Sequence, residues 1–516
     1  MLRIITGMHP ARFTELINEK AQGMQLQATG ISLRGMLGFS FVPAIVAYFS
    51  FLARNYQLDD ALIYLRYVRN FQDGLGLVYN PGEKFNGLTS PLFTYVSLAA
   101  SFIFSNLQIA TIVVSALLFA CAAVLGGFVF AESKWEAFFT GLAIASFGYF
   151  YSTFGMETPL FLMLTGLSLY LYRIDSKYFP VALALMVITR YEGVFLAAPM
   201  VAGYVMRNRR LPDAKMLAAA AAVFLAPFAI NYFYYGDLLP ATASAKFGQG
   251  KSGLWVGQLS FLNLGYLVKT YFSGSRISAL FFVAAAAYGA FVGRKDRTTI
   301  VMLIYLFCLL CFYAGLRLPN YPWYYAPFFF LLLIFACRGI WSLGARFVPT
   351  GKLDHRAAIF GCLCALAIFA VTQVVTFREG ERREEYARIG GWLQKNTPPN
   401  ASVAMIEIGT VGWYAHRKIV DILGLVNPYN ADYIARGDLY GWLYRYQPDY
   451  ILRHDPIWAW EKSSVILEKS GAYVPAQGFD HPRFVLLKKT DKYTDAEIAK
   501  YFRELSEQRE KSRSTE

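Results

Sequence analysis

The chain has 516 residues, of which 56% are hydrophobic, 17% are aromatic and only 16% are charged. This balance excludes an ordinary soluble globular domain and indicates a polytopic membrane protein. The formal net charge is +14, and the basic surplus is interleaved with apolar runs, which argues against a nucleic-acid partner and favours orientation in a lipid bilayer.

The N-terminal part of the chain predicts a cytoplasmic segment, one span and a long exported loop. Residues 1–34 are amphipathic and carry four Arg or Lys residues, which the positive-inside rule places in the cytoplasm. The first span, 35–53, then exports a loop formed by residues 54–89. Its apolar spacing over 60–71 predicts a helix along the outer membrane surface. Ser90-Pro91 has the pattern of a helix N-cap with proline in the first turn, so the second span is predicted to begin there.

Hydrophobic length predicts about eleven spans in the membrane domain, 35–377, with the N-terminus inside and the C-terminus outside. We interpret residues 256–272 as interfacial, because that choice keeps the later basic clusters in the cytoplasm. In one place the span count and the charges conflict: the count puts residues 155–158 inside and 173–177 outside, whereas charge favours the reverse. The spans after the first are predicted at 90–105, 108–130, 137–152, 157–172, 179–206, 216–235, 277–293, 299–316, 323–343 and 357–377.

Residues 378–516 lack long apolar runs and alternate short strand-like pieces with charged amphipathic segments. This pattern predicts one small α/β domain outside the membrane. The fold class is therefore a mainly α polytopic membrane protein with a small C-terminal α/β soluble domain. Its strands are predicted at 402–408, 418–422, 449–453 and 483–487.

Two adjacent carboxylates, Asp59 and Asp60, open the exported loop a few residues after the first span. Carboxylates at a membrane surface are costly unless they are used or paired. A neighbouring carboxylate raises the pKa of its partner, which suits a general base, and the pair can also share a divalent cation such as Mg²⁺ or Ca²⁺. The alternative is a pair of capping residues, since acidic side chains stabilise a helix N-terminus.

Several basic residues lie on the predicted outer side, where the positive-inside rule expects few. Two interpretations account for them: they bind a substrate phosphate, or they extend to lipid head groups. We expect at least two of them to contact phosphate. The candidates are Arg66, Arg69, Lys246, Lys251, Arg276 and Arg317.

Three further charges, Glu157, Arg190 and Glu192, interrupt apolar runs. Charges at such depth cost about 2.5–3.5 kcal/mol each, so each needs a partner or a cavity. A substrate contact and a structural ion pair are both consistent with the sequence. Tyr324 lies in the aromatic run 321–325, which fits a membrane-interface belt and also fits stacking on a sugar ring or a polyprenyl chain.

Metal ligation by cysteine or histidine is not predicted. The six cysteines fall inside apolar runs, where small apolar filler is the ordinary role. The histidines are scattered, and no pair has the spacing of a metal site.

The first loop resembles the first outer loop of bacterial GT-C membrane glycosyltransferases. The matching pieces are Asp59 to Ile63, Arg66-Tyr67, residues 74–83 and residues 87–92. The sequence is most similar to the mycobacterial terminal arabinofuranosyltransferase branch, which uses decaprenyl-phosphate arabinofuranose. Further pieces that resemble this family are residues 155–160, 189–193, 235–242 with Lys246, and 421–425.

The resemblance implies a GT-C fold in the cell inner membrane with its catalytic face in the periplasm. It implies a catalytic aspartate in the first periplasmic loop, and Asp59 occupies the position of the first acidic residue of the family. Asp59 is therefore the first choice for the base, with Asp60 second. The donor is expected to be a polyprenyl-phosphate sugar such as arabinofuranose, and the acceptor a periplasmic glycan or a protein such as a pilin. Tyr191 and Ala241 depart from the proline and asparagine typical of the family, which leaves the pentose open.

Two other classes of protein fit the composition. A transporter or flippase of a lipid-linked sugar would usually show repeated halves, and the sequence shows none. A non-catalytic sugar-binding membrane protein would concentrate its recognition residues in the C-terminal domain rather than in the first loop.

Overall fold

The computed structural model describes residues 33–54, 56, 58–251, 254, 260–317, 320–347 and 381–514. Most of the predicted cytoplasmic segment, residues 1–32, and the predicted span 357–377 lie outside the described residues. The membrane part consists of the α-helices α1 Leu33–Leu52, α2 Asp59–Gln72, α3 Pro91–Ser101, α4 Leu107–Phe128, α5 Lys134–Ser146, α6 Thr158–Arg173, α7 Phe179–Thr189, α8 Val194–Asn208, α9 Ala214–Tyr235, α10 Ala241–Lys251, α11 Leu264–Tyr271, α12 Arg276–Val292, α13 Arg297–Gly315 and α14 Pro322–Phe347.

Four of the described helices, α4, α9, α13 and α14, are long and apolar enough to cross a membrane. Helices α11 and α12 form a bent pair with an angle of 100° between them. Helix α11 has eight residues, about 12 Å in length, which is too short to span a membrane by itself. The interfacial interpretation of residues 256–272 stays a prediction, and residues 256–259 lie outside the described residues. The predicted number of about eleven full spans is not confirmed, because most of the other described helices are shorter.

The predicted second span, 90–105, is wrong. Ser90 does cap α3, since its hydroxyl accepts a hydrogen bond from the Phe93 amide at 3.3 Å, but the helix ends at Ser101 after 11 residues. Gln72 of α2 donates to the Ser101 carbonyl at 2.9 Å. Both ends of α3 therefore lie beside the first outer loop, and its 11 residues, about 16 Å, are shorter than the hydrocarbon core of a bilayer.

The predicted span 179–206 is also wrong, because it consists of two helices separated by a break. Helix α7 ends at Thr189, a 3₁₀ turn covers Tyr191–Gly193, and α8 begins at Val194. Irregular backbone within a membrane domain is tolerated where it lines a protein cavity. The break lies beside Glu157 at the start of α6, whereas the end of α8 lies beside the end of α6 through the pair of Arg207 with Asp175, so α7 and α8 run in opposite directions between these two ends.

These two changes resolve the conflict between the span count and the charges. Arg297 pairs with Asp175 at 3.0 Å, and Arg207 pairs with the same carboxylate. The turn after α6 therefore lies on the same side as the basic ends of α8 and α13. Glu157, at the other end of α6, lies on the opposite side together with the first loop. The positive-inside rule was the better guide here, because hydropathy does not distinguish a surface helix from a crossing one.

The C-terminal domain is built on a five-stranded mixed sheet with the order β2-β1-β3-β5-β4. Strand β1 pairs in parallel with β2 and β3, whereas β5 pairs antiparallel with β3 and β4. The predicted strands overlap β1, β2, β3 and β5, and β4 has no predicted counterpart. The elements are α15 Glu381–Asn396, β1 Ser402–Met405, α16 Thr410–Ala415, β2 Lys418–Asp421, α17 Asn430–Ala435, α18 Gly441–Tyr446, β3 Tyr450–His454, α19 Ser463–Ser470, β4 Tyr473–Pro475, β5 Phe484–Lys489 and α20 Asp495–Ser514.

The first outer loop binds the edge of this sheet. Strand β2 is an edge strand, and exposed edges present unpaired backbone groups. The Asn80 side chain accepts a hydrogen bond from the Ile419 amide at 3.0 Å and donates to the Ile419 carbonyl at 2.8 Å. Glu83 adds an ion pair to Lys418 at 2.6 Å. The C-terminal domain is therefore held directly against the first outer loop.

Candidate active site

A cavity of about 460 Å³ lies where α2, α10 and α14 meet the break between α7 and α8. Its volume lies in the range of small-molecule sites, which is about 300–1,000 Å³. Its polar and aromatic wall includes Asp60, Tyr64, Thr89, Glu157, Arg190, Glu192, Thr242, Lys246, Tyr313, Trp323 and Tyr324.

The two adjacent aspartates face different surroundings, because successive side chains on an α-helix are about 100° apart. Asp60 lines the cavity together with Ile63 and Tyr64 of the same helix face. Asp59 faces the C-terminal domain, where its carboxylate accepts hydrogen bonds from the amides of Gly409 at 2.9 Å and Thr410 at 2.6 Å. The geometry therefore favours Asp60 over Asp59 as the candidate base, because Asp60 faces the cavity and Asp59 caps α16.

Both carboxyl groups have pKa values above their ordinary range. Burial raises the pKa of Asp60, and Glu157 raises it further, whereas Lys246 acts in the opposite direction. Burial and the Glu407 carboxylate raise the pKa of Asp59 to about 7, although the Thr410 amide lowers it. A base with a raised pKa is a stronger proton acceptor once it is ionised.

Arg66 does not line the cavity. Its guanidinium is buried, with 5% exposure, and donates hydrogen bonds to the carbonyls of Tyr79 at 2.9 Å, Gly412 at 2.8 Å and Arg417 at 2.6 Å. A further bond reaches the Asn80 side chain at 3.2 Å. The interpretation of Arg66 as a phosphate ligand is therefore replaced by a structural one, in which it joins the first loop to the C-terminal domain.

Arg69 and Arg317 also lie away from the cavity wall. Arg69 donates to the Trp413 carbonyl at 2.9 Å, and its guanidinium lies over the Trp413 ring at 3.5 Å from the centroid. Arg317 is exposed just after α13, with a left-handed φ of 52°. The expected phosphate contacts of these two residues are therefore not supported by their positions.

Arg190 lies at the break between α7 and α8 and is held by three elements. Its guanidinium donates to the Glu192 carboxylate at 2.7 Å, to the Trp323 carbonyl at 2.8 Å and to the Tyr313 hydroxyl at 3.1 Å. Glu157 lies 4.0 Å from the same group. The charges that interrupt the apolar runs thus form one buried cluster, which confirms the ion-pair interpretation. The cluster also lines the cavity, and the substrate contact stays a prediction.

Lys246 supplies the second cationic group of the cavity wall. Its ammonium donates to the Tyr324 hydroxyl at 2.8 Å and lies over the Trp323 ring at 5.8 Å from the centroid. Burial alone would lower the pKa of Lys246, but Tyr324 and Asp60 outweigh burial and raise it. The amine is therefore positively charged, and an ammonium has three donors, so it can bind an anion beside Tyr324.

Three comparisons relate this architecture to known proteins. A family described as a domain of unknown function (DUF8728) matches residues 373–502. The terminal beta-(1->2)-arabinofuranosyltransferase of Mycobacterium tuberculosis (strain ATCC 25618 / H37Rv) is 30% identical over 285 residues, which are 46% of this chain and 44% of that protein. The match therefore spans less than half of the relative's length.

Two solved structures of ArnT from Cupriavidus metallidurans are similar over most of the chain. The structure bound to undecaprenyl phosphate gives a TM-score of 0.60 at 13% identity and covers 89% of this chain and 99% of ArnT. The apo structure gives 0.54 at 14% identity and covers 90% and 99%. The chain has the GT-C fold. At this identity the likeness establishes the fold alone, and the resemblance drawn from the first-loop motifs is confirmed by the curated relative.

The predicted cation between Asp59 and Asp60 does not fit the geometry. One ion requires both carboxylates to converge, whereas Asp59 points to the amides of Gly409 and Thr410 and Asp60 points into the cavity. Within the residues that the structure describes, no group of three or more His, Cys, Asp or Glu side chains could hold a metal ion.

The cavity wall also contains Tyr64 and Tyr313, which the sequence did not single out. Tyr64 donates to Glu157 at 3.3 Å, and its position four residues after Asp60 on a helix was the available signal. Trp323 and Tyr324 are each only 5% exposed, so the membrane-belt interpretation of this aromatic run is wrong for them. Tyr313 had no local signal, because its role depends on the long-range contact with Arg190.

Proposed function

We propose that the protein is a glycosyltransferase that moves a sugar from a polyprenyl-phosphate donor to a hydroxyl group of an acceptor. The observation that supports this most directly is the meeting of the Asp60 carboxylate and the Lys246 ammonium in one cavity, beside an Arg190 that is paired with Glu192 and Glu157. Sugar transfer from a lipid phosphate needs both parts: a base for the acceptor and positive charge for the leaving phosphate.

In the proposed reaction Asp60 takes the proton of the acceptor hydroxyl. The acceptor oxygen then forms a bond to the anomeric carbon, while the bond from that carbon to the phosphate oxygen breaks. The electron pair leaves with the polyprenyl phosphate, and Lys246 binds the released negative charge. Arg190 lies in the same wall, but its ion pairs with Glu192 and Glu157 balance its charge, so it holds this wall in place rather than binding the phosphate.

One side of the cavity suits the lipid part of the donor. Val194 and Phe195 of α8 and Phe312 and Leu316 at the end of α13 form an apolar wall. Helix α13 is one of those long and apolar enough to cross the membrane, so a polyprenyl chain can enter between these helices directly from the bilayer. The binding of undecaprenyl phosphate by the structurally similar ArnT agrees with a donor of this class.

We further propose that the sugar is arabinofuranose, because the curated relative is an arabinofuranosyltransferase. In this proposal the protein lies in the inner membrane, and its cavity and soluble domain face the periplasm. The acceptor is a periplasmic glycan or a protein such as a pilin.

The test is a comparison of Asp60→Asn with Asp59→Asn in purified full-length protein, with a radiolabelled polyprenyl-phosphate sugar. We expect Asp60→Asn to lower kcat by about 100- to 10,000-fold, the usual contribution of general-base catalysis. Asp59→Asn should retain at least about a tenth of the activity, because the amide can still accept a hydrogen bond at the α16 terminus. Equal and full activity of both variants would refute the proposed site, and lipid translocation without covalent transfer would favour a flippase.

A further inference from the structure

The loop after β2, residues 421–427, is the part of the C-terminal domain that reaches the cavity. Leu425 lies in the cavity wall. Gln249 of α10 donates to the Leu423 carbonyl at 3.1 Å. A Cβ placed on Gly87 would lie 2.5 Å from the Leu425 carbonyl oxygen, so the first outer loop approaches this segment closely. The loop is therefore packed between the first outer loop and α10.

A fully buried carboxylate, Asp421, determines the shape of this loop. The side chain is 0% exposed and accepts hydrogen bonds from the amides of Leu423 at 2.8 Å, Leu425, and Val426 at 3.1 Å. Its own amide donates to the Asn427 side chain. A buried carboxylate is costly unless it is hydrogen-bonded, and these bonds all go to the one loop that ends at the cavity.

We propose that Asp421 is a positioning residue for the acceptor: by fixing the 421–427 loop it holds Leu425 at the place where the acceptor enters the cavity. This inference rests on the proposed function. The lipid of the donor enters between the membrane helices α8 and α13, so a water-soluble acceptor has to approach from the side that the soluble domain borders. Leu425 is the residue of that domain in the cavity wall.

The first test uses Asp421→Asn, which keeps the size of the side chain but replaces one acceptor oxygen by a donor NH₂ group. At least one loop amide then lacks its acceptor, and the loop shifts. We expect kcat/KM for the acceptor to fall by about 10- to 100-fold, the effect of displacing a positioning element by about 1 Å. Donor affinity should be unchanged. Gln249→Leu, which removes the contact to Leu423 from the membrane side, should act in the same direction.

Asp438→Asn is the matched control. Asp438 is also a buried carboxylate of this domain, and it accepts hydrogen bonds from the Tyr440 amide at 2.8 Å and the Tyr444 hydroxyl at 2.7 Å, outside the cavity wall. A general loss of domain stability would affect both variants alike. Equal acceptor kinetics for Asp421→Asn and Asp438→Asn would overturn the inference.

A readout that does not depend on sugar transfer separates this inference from the proposed function. Leu425→Cys is labelled with a maleimide, and the labelling of the parent protein is subtracted. Adding Asp421→Asn should change the labelling rate at position 425 by about tenfold, as expected for a displaced loop, whereas adding Asp438→Asn should not. If this change occurs in a protein that shows no transfer, the proposed function fails and the role of Asp421 in fixing the loop stands. An unchanged rate overturns that role.

Discussion

Replacing Arg66 by methionine should loosen the C-terminal domain from the first outer loop. The substitution leaves the carbonyls of Tyr79, Gly412 and Arg417 without their donor. Each unsatisfied buried acceptor costs about 1–3 kcal/mol. Because such penalties are not additive within one network, we expect a total of about 3–5 kcal/mol.

Amide hydrogen exchange over residues 410–421 measures this loss locally, without assuming that the whole membrane protein unfolds in one step. Since about 1.4 kcal/mol corresponds to a factor of ten, the expected acceleration is about 100- to 1,000-fold or more. Arg69→Met, three residues further along the same helix, is the control: it removes one carbonyl contact and one ring contact to Trp413 and should accelerate exchange by about tenfold or less. Unchanged exchange in Arg66→Met, together with a raised KM for the donor, would show instead that Arg66 binds phosphate.

Three further predictions concern the cavity and the Asp59 cap. Lys246→Met should raise the donor KM by about 10- to 100-fold, which corresponds to the loss of one charge-assisted hydrogen bond to phosphate. Initial rates at varied donor concentration measure this KM, and an unchanged value would contradict the role of Lys246. The pKa of the Asp59 carboxyl is raised from 3.8 to about 7. Between these pH values the folded protein holds this proton and the unfolded chain does not. Wild type should therefore lose thermal stability relative to Asp59→Asn as pH rises from about 4 to about 7. A difference independent of pH would refute that assignment. Since the two aspartates diverge, EDTA should leave transfer unchanged, and activity that EDTA removes and Mg²⁺ or Ca²⁺ restores would show cation use.

The sequence locates the acidic loop but cannot choose between Asp59 and Asp60. Both residues have the composition and the position of a base, and adjacent positions on a helix point in different directions. The direction of each depends on partners about 350 residues away, the amides of Gly409 and Thr410. No local pattern contains that information, and the same applies to the contacts of Arg66 with Gly412 and Arg417.

The membrane helices show a different limit of prediction. Apolar length and caps correctly locate most of the helices, including the start of α3 at Ser90-Pro91. Hydropathy does not say whether an apolar helix crosses the bilayer or lies along it, so α3 was counted as a span. Hydropathy also fails to show the break at residues 190–193, because two charged residues, Arg190 and Glu192, hardly change the mean hydropathy of a long apolar window. The charge conflict around residues 155–177 was the available signal that the count needed revision.

The bond between Asp59 and the Gly409 amide joins two residues separated by 350 positions, and this separation determines when the site becomes complete. Asp59 emerges early in synthesis, directly after the first helix, whereas Gly409 and Leu425 follow only after the membrane helices have been made. Chains fold in the order of their synthesis. The Asp60 cavity therefore remains without its Leu425 wall until the C-terminal domain has been synthesised and folded, so the cavity is completed long after its first residues have emerged.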